Sequence, residues 1–401
     1  VLMKICIFVG KLITTAMYHF KTSMNMETIV ATFRLFVTAI CLFCINLVAL
    51  ADETTLPANW EDYGKLATFA NGERNNNADI VLSTVDGRPT YTIYTARGLA
   101  WVACVVNNYY DKNKTPFNKD EEYYPSSCNF ANCNIQLAND ISLAKPSKGV
   151  SDNFDYHWIP IGENYGSLPP IFSGNFDGKG HTISNLNVLR ALEQEIKTAG
   201  LIGYANCGSI EDEFLSIKNL NVTGSSVKGQ EMVGGIVGYG VNVQITCCSS
   251  QIGEISKSNT SGNTFLGGIA GSLTKGEITN CWSSGKVSCE AFSNGGSYGG
   301  GIVGNAREST ISDSYSTATV IATGAGGIAG DLGAYTTIKN CLALNTGGIV
   351  GYSDRGRIWA RANSEYPVIA ADNYASVLVK LYTITPDDKK KEKNIESEAY
   401  N

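Results

Sequence analysis

Histidine is nearly absent from this chain: 401 residues hold three, His19, His157 and His181. That number leaves little room for a histidine-based triad or a His-rich metal site. Charge is sparse as well, at 17% of residues against roughly 25% in an average globular domain. The net charge of -6 supplies no basic stripe for nucleic acid. No HExxH motif occurs, which excludes a zinc metalloprotease of the usual kind. What the chain has in excess is glycine, 42 residues, about 10% against a usual ~7%. With 43% hydrophobic and 10% aromatic residues beside it, this is neither a disordered chain nor a collagen.

The first apolar run points to export. Leu35 to Ala51 reads LFVTAICLFCINLVALA after Arg34, and ends in Ala49-Leu50-Ala51 before Asp52-Glu53. Small residues at those two positions fit a signal-peptidase site. The run is short for a membrane span and carries Asn46. The expectation is a signal region over 1–51, cleaved after Ala51, with two readings of the start: Met24 or Met26, or Val1 read from a GTG codon. An uncleaved signal anchor and a lipoprotein through Cys41 or Cys44 are the alternatives, the second opposed by the bulk of Ile40 and Phe43. Removing Lys4, Lys11, Lys21, Arg34 and Glu27 takes 31 basic and 37 acidic residues to 27 and 36, a net charge of -9. An acidic mature chain without a membrane span stays soluble and avoids anionic surfaces.

Nine cysteines remain after that cleavage: Cys104, Cys128, Cys133, Cys207, Cys247, Cys248, Cys281, Cys289 and Cys341. An odd number cannot pair completely. None of the nine forms a CxxC pair, which argues against a zinc site. Cys128 and Cys133 flank a loop-like stretch at a spacing open to a disulfide.

The glycines keep a register, with 30 of the 42 between Gly200 and Gly351. The anchor Gly-Gly-Ile-[Val/Ala]-Gly begins at Gly234, Gly267, Gly300 and Gly326, at intervals of 33, 33 and 26 residues, after a degenerate copy at Gly200. A second anchor, Ile-x-[Asn/Asp/Cys]-[Cys/Ser]-x-[Ser/Ala], begins at Ile245, Ile278, Ile311 and Ile338, and the step from first glycine to isoleucine is 11, 11, 11 and 12. A fixed half and a variable half describe stacked coils with loops at one corner. The short β-branched segments bounded by Gly, Asn and Ser read as strands, and the glycine density disfavours helix.

Stacking the copies aligns Asn219, Cys247, Asn280, Asp313 and Asn340 in one column, a polar ladder. Leu220, Cys248, Cys281, Ser314 and Cys341 form the next, a column of small buried fillers with reduced thiols. Between Asn280 and Cys281 the apolar phase slips by one residue, which implies a bend in left-handed geometry. At the other end, Thr95 is the expected N-cap of a helix whose Leu99, Val102, Ala103 and Val106 share a face. This helix is read as the cover for the open end of the stack.

The string Trp158-Ile-Pro-Ile-Gly162, then Phe172-Ser-Gly-Asn-Phe-Asp-Gly-Lys-Gly-His-Thr-Ile-Ser-Asn-Leu186, then Gly200-Leu-Ile-Gly203 and Gly234-Gly-Ile-Val-Gly-Tyr239 resembles the GLUG-repeat proteins. Those are exported bacterial surface proteins, and the repeat is also similar to modules in some IgA-protease precursors. The resemblance spans roughly 91–375. It implies a right-handed parallel β-helix, all-β, and an adhesin-like, exported protein at the cell surface or outside the cell, with the periplasm or outer membrane of a Gram-negative bacterium as the expected place. It carries over no catalytic residue and no cofactor. The expected organisation is a lead-in over 52–90, the capping helix and first strands over 91–157, the β-helix over 158–380 and a charged, disordered tail over 381–401. For the last coil, Gly326 to Gly356 is preferred over Gly326 to Gly347 as the closing interval.

Two surfaces are candidates for ligand contact. Trp282 and Tyr315 hold the same outward position on adjacent coils, where stacked aromatics suit a sugar ring or a partner side chain; their structural alternative is mutual support of neighbouring strands. The Ser/Asn/Gly-rich loops Ser256–Leu266 and Ser288–Gly299 contribute Asn259, Asn263, Phe292, Asn294 and Tyr298; their alternative is tolerated, disordered insertion. His181 reads as a turn histidine, and Asp177-Gly178 as a turn without the spaced carboxylates of a calcium loop. Glu254, Glu277, Glu308, Asp313 and Asp331 do not share a column, as a β-helix lyase or glycosidase would need. The expectation is non-catalytic recognition of a host or microbial surface glycan or glycoprotein, without metal. The rivals are a carbohydrate-active β-helix enzyme and a passive stalk.

Overall fold

The computed structural model describes residues 56–75, 77–107, 128–162, 170–189, 196–208, 213–258, 262–289, 296–362, 367–376, 379, 381–383 and 391–392. One circuit of the chain shows how the fold is made. Leu215–Lys218 lies in a first sheet, Asn221–Gly229 and Met232–Gly234 in a second, and Val237–Val241 in a third. Val243–Thr246 then returns to the first sheet and pairs parallel to Leu215–Lys218. The circuit repeats through Glu277–Thr279, Thr310–Ser312 and Thr337–Lys339, and among the described residues the sheets reach 11, 16 and 6 strands. The pairing is parallel except at the hairpin Ile80–Val85 with Arg88–Ile93, and at Leu381–Thr383 with Lys391–Glu392.

The isoleucine that opens the second anchor is the core of this arrangement. Tyr91, Ile135, Phe176, Ile217, Ile245, Ile278, Ile311 and Ile338 pair in register up the first sheet and are buried. Each such side chain contributes roughly 1.5–3 kcal/mol of burial. After this sheet the chain bends through Asn219, Cys247, Asn280, Asp313 and Asn340, whose φ values are 52, 54, 54, 51 and 52°. The left-handed residue shifts the alternation by one, so Leu220, Cys248, Cys281, Ser314 and Cys341 all turn inward and are buried.

The glycine anchor makes the opposite corner, where backbones meet without side chains between them. A Cβ on Gly267 would collide with the Ala270 carbonyl and lie 2.7 Å from the amide nitrogen of Gly304 on the next coil. Gly234, Gly267, Gly300, Gly326 and Gly356 pair in sequence, so the closing interval falls at Gly356, not Gly347.

Two helices accompany the first strands. Helix α1, Trp60–Gly64, starts at Asn59, whose side chain accepts from the Asp62 amide. Helix α2, Ala96–Asn107, starts at Thr95, whose hydroxyl accepts from the Gly98 amide at 3.2 Å. Gly98, Leu99, Ala100, Trp101, Val102, Ala103, Cys104, Val105 and Val106 are all buried, so α2 is enclosed rather than buried along one face. Gly98 lets it approach closely: a Cβ there would sit 2.8 Å from the Asp79 carbonyl. Trp101 packs edge-on to Phe69 and Phe130, and Asn107 bonds the backbone at Pro160 and Gly162.

Three readings change. Cys128 and Cys133 are not bridged; Cys133 is buried and turned toward the Ala131 carbonyl. The loops expected over Ser256–Leu266 and Ser288–Gly299 are shorter, because strand runs to Lys257 and Ser288 and resumes at Thr264 and Ser297. Thr264 and Ser297 are buried and pair with each other, which draws the C-terminal end of each loop into the sheet. In the expected tail, Leu381–Thr383 extends the second sheet beside Ile349–Gly356.

Candidate functional site

The second sheet carries one outward column that changes character along the stack. Thr182, Asn221 and Ser249 are followed, in register, by Trp282, Tyr315, Leu342 and Tyr374. In the polar half, the Ser249 hydroxyl donates to Asn221 Oδ1 at 2.7 Å, and Asn221 donates to the Gly180 carbonyl at 3.1 Å. In the apolar half, the Trp282 and Tyr315 rings stack with centroids 5.8 Å apart and planes 3° apart. Trp282 and Leu342 are half-buried, while Tyr315 is 38% and Tyr374 65% exposed. The result is an apolar stripe four coils long, with strand spacing of about 4.8 Å between its members.

The left-handed column borders that stripe. Asn280, Asp313, Asn340 and Asp372 are all exposed, and Asp372 continues the geometry with φ 53°. Asn340 Nδ2 donates to Asp313 Oδ1 at 3.0 Å, and that bond is the main cause holding the Asp313 carboxyl below its ordinary range. Lower in the same column Asn219 Nδ2 donates to Asp177 Oδ1 at 3.1 Å. Cys247, exposed between Asn219 and Asn280, has no amide to extend the series. On the inward side Cys248, Cys281 and Cys341 are free thiols. Burial pushes Cys248 well above the usual thiol range and Cys341 up to about 12.

Of the loop residues, Asn259, Phe292 and Asn294 lie outside the described residues. Asn263 ties one loop to the next, its Oδ1 accepting from the Gly296 amide at 2.9 Å. Tyr298 is a strand residue, stacked on Phe265 at 5.8 Å and 20°. Its hydroxyl accepts from Arg361 Nη1 at 2.7 Å, and the guanidinium lies 4.5 Å over its ring. Arg361 also holds Asp331 through Nε and Nη2, at 2.9 and 3.0 Å. Asn305 donates to the same carboxylate at 3.2 Å, and Ser272 donates to Asn305 at 3.3 Å. Ser272, Asn305, Asp331 and Arg361 are one column of the third sheet. Its lower continuation is the stacked pair Tyr204 and Tyr239, 5.1 Å apart. The sequence reading missed this seam, which joins residues up to 63 positions apart. Trp282 and Tyr315 are not part of it.

Two shallow openings, about 310 and 250 Å³, lie along the first sheet. Arg88, Cys207, Glu213 and Phe214 are among the residues around the larger, and Asp86, Asp177, Lys179 and Lys218 around the smaller. Asp177 is engaged by both lysines, at 3.3 and 3.8 Å. Glu254 pairs with Lys286 at 3.1 Å, and Glu277 accepts from Gln244 at 3.2 Å. These carboxylates are dispersed over different columns and sheets. Among the described residues no group of three or more His, Cys, Asp or Glu is placed to hold a metal ion, and no helix is long and apolar enough to cross a membrane.

No family model matches the chain, and no curated protein does. Among solved structures, the chain is similar to a protein from Bacteroides ovatus provisionally described as an immunoglobulin A1 protease. The TM-score is 0.45 and the identity 20%, over 76% of this chain and 81% of that one.

Proposed function

We propose that this protein is an exported, non-catalytic surface binding protein of the GLUG-repeat kind, which recognises a glycan or glycoprotein through the stripe from Trp282 to Tyr374. Its scaffold is read as a right-handed parallel β-helix whose N-terminal end is closed by α2. The observation that carries the proposal is the outward Trp282–Tyr315 stack, which continues in register into Leu342 and Tyr374. Exposed aromatic surface is costly to leave in water and is the usual anchor of a recognition face. Mutual strand support accounts for the stacked pair but not for Tyr374, most of whose side chain meets solvent.

The enzyme reading lacks a matching arrangement. Glu254, Asp331 and Glu277 are engaged by Lys286, Arg361 and Gln244 rather than facing each other across a cleft.

A glycan and glycoprotein array probed with the protein and with Trp282→Ala/Tyr315→Ala tests the proposal, with a reducing-sugar assay in parallel. Binding that disappears in the double variant, without release of sugar, is the expected result. Depolymerisation of any array polysaccharide overturns the non-catalytic reading, and binding unchanged in the double variant overturns the stripe.

A further inference from the structure

We infer that the stripe takes a neutral, extended glycan lying along the stack, in preference to an acidic one. This rests on the surface-binding reading above and adds the ligand's class and direction.

Direction follows from register. Trp282, Tyr315, Leu342 and Tyr374 are successive members of one column, not a cluster. They climb by about 4.8 Å per coil. An extended chain of β-linked pyranoses advances by close to that distance per sugar. One sugar therefore meets one coil, and the apolar face of each ring has an apolar side chain beneath it.

Class follows from what borders the stripe. On one side stand Asn280, Asp313, Asn340 and Asp372, amides and carboxylates whose oxygens accept from sugar hydroxyls. On the other stand Ser284, Thr317, Leu344 and Ser376, mostly hydroxyl-bearing and half-buried. Among the described residues, the cations near this stretch include Lys339, which faces Asp313 electrostatically, and Lys286, which is held by Glu254. Asp313 stays ionised at neutral pH, with its carboxyl drawn down by Asn340. A uronic or sialic acid would bring a further negative charge to a border that already carries the Asp313 and Asp372 carboxyl groups, in a chain already at -6. A neutral hexose would bring only hydroxyl donors.

Titration of the full chain with cellobiose through cellohexaose, and with oligogalacturonides of the same lengths, tests this directly by tryptophan fluorescence and calorimetry. The expected result is neutral binding that tightens about tenfold or more from cellobiose to cellotetraose and then levels off. It is lost in Trp282→Ala and weakened in Tyr374→Ala, while Tyr335→Ala, an exposed tyrosine elsewhere, changes nothing. Circular dichroism and the melting temperature establish that each variant folds. Oligogalacturonides bound as tightly as the neutral series, or affinity that does not grow with length, overturns this inference and leaves the surface-binding reading standing. Array binding of a glycoprotein that survives removal of its sugars, yet needs Trp282, also overturns it alone. Binding of any ligand that ignores both Trp282→Ala and Tyr315→Ala overturns the two together.

Discussion

Ser283 and Gly301, 18 residues apart, meet inside the coil: the Ser283 hydroxyl donates to the Gly301 carbonyl and accepts from the Ser316 hydroxyl at 2.9 Å. The contact joins the two repeated anchors of the sequence. The serine of one lies against the middle glycine of the other, and a Cβ on Gly268 would stand 2.6 Å from Ser283 Oγ. Ser316 stands in the same relation to Gly301 and Ala343 to Gly327. The wall behind Trp282 and Tyr315 is therefore packed directly onto the glycine corner.

Gly268→Ala is expected to destabilise the fold by about 1–3 kcal/mol, because both the Gly301 carbonyl and Ser283 are in the way and neither belongs to a flexible chain end. Ser284→Ala, on the same strand but facing outward, changes stability by less than about 0.5 kcal/mol. Urea unfolding of both variants measures the difference. Equal midpoints would mean that the corner relaxes and the glycine is not required.

Alkaline stability reports the inward cysteine column. Burial raises Cys341 to about 12, from about 8.5 for an open thiol. The folded chain then holds this proton more tightly than the unfolded chain. The resulting stabilisation is intact below about 8.5 and is lost as pH rises from there through about 12. Cys341→Ser, which repeats the residue Ser314 supplies one coil earlier, is expected to make the alkaline decline in unfolding free energy shallower. Identical slopes for variant and parent would contradict the assignment.

At low pH the Asp313–Asn340 pair gives the opposite sign. The bond from Asn340 lowers the Asp313 pKa, so its stabilisation is present above the ordinary carboxylate range and is lost as pH falls through the lowered value. Asn340→Ala is expected to move the Asp313 titration upward, read by NMR of the side-chain carboxyl. A titration that does not move would remove the hydrogen bond as the cause.

Much of the repeat was legible in the sequence because the coil length shows itself as a period. Ile245, Ile278, Ile311 and Ile338 sit at matching steps from the glycines, and the phase slip at Asn280 marks a bend without reference to any other residue. The extension of the aromatic stripe was legible too, in degenerate form. Ala370-Ala371-Asp372-Asn373-Tyr374-Ala375 copies the second anchor with alanine for isoleucine and asparagine for cysteine, and Asn373 Oδ1 accepts from the Cys341 amide at 3.0 Å. What had no local signal were contacts between different walls of the coil. Ser283 with Gly301, and Tyr298 with Arg361 and Asp331, depend on how far each corner folds back. The burial of α2 on every side from Gly98 to Val106 was hidden for a related reason. Its apolar periodicity marks one face, while Gly98, Ala100 and Cys104 are small enough to let other chain segments close over the rest.

Hydroxyl-radical footprinting with mass spectrometry reads directly whether ligand contact falls on the Trp282–Tyr374 stripe. With the tightest-binding array glycan present, Trp282, Tyr315 and Tyr374 should lose reactivity together, while Tyr335 keeps its own. Protection of Tyr204, Tyr239, Phe265 and Tyr298 instead, with Trp282 and Tyr315 unchanged, would place recognition on the Arg361 seam and contradict the claim.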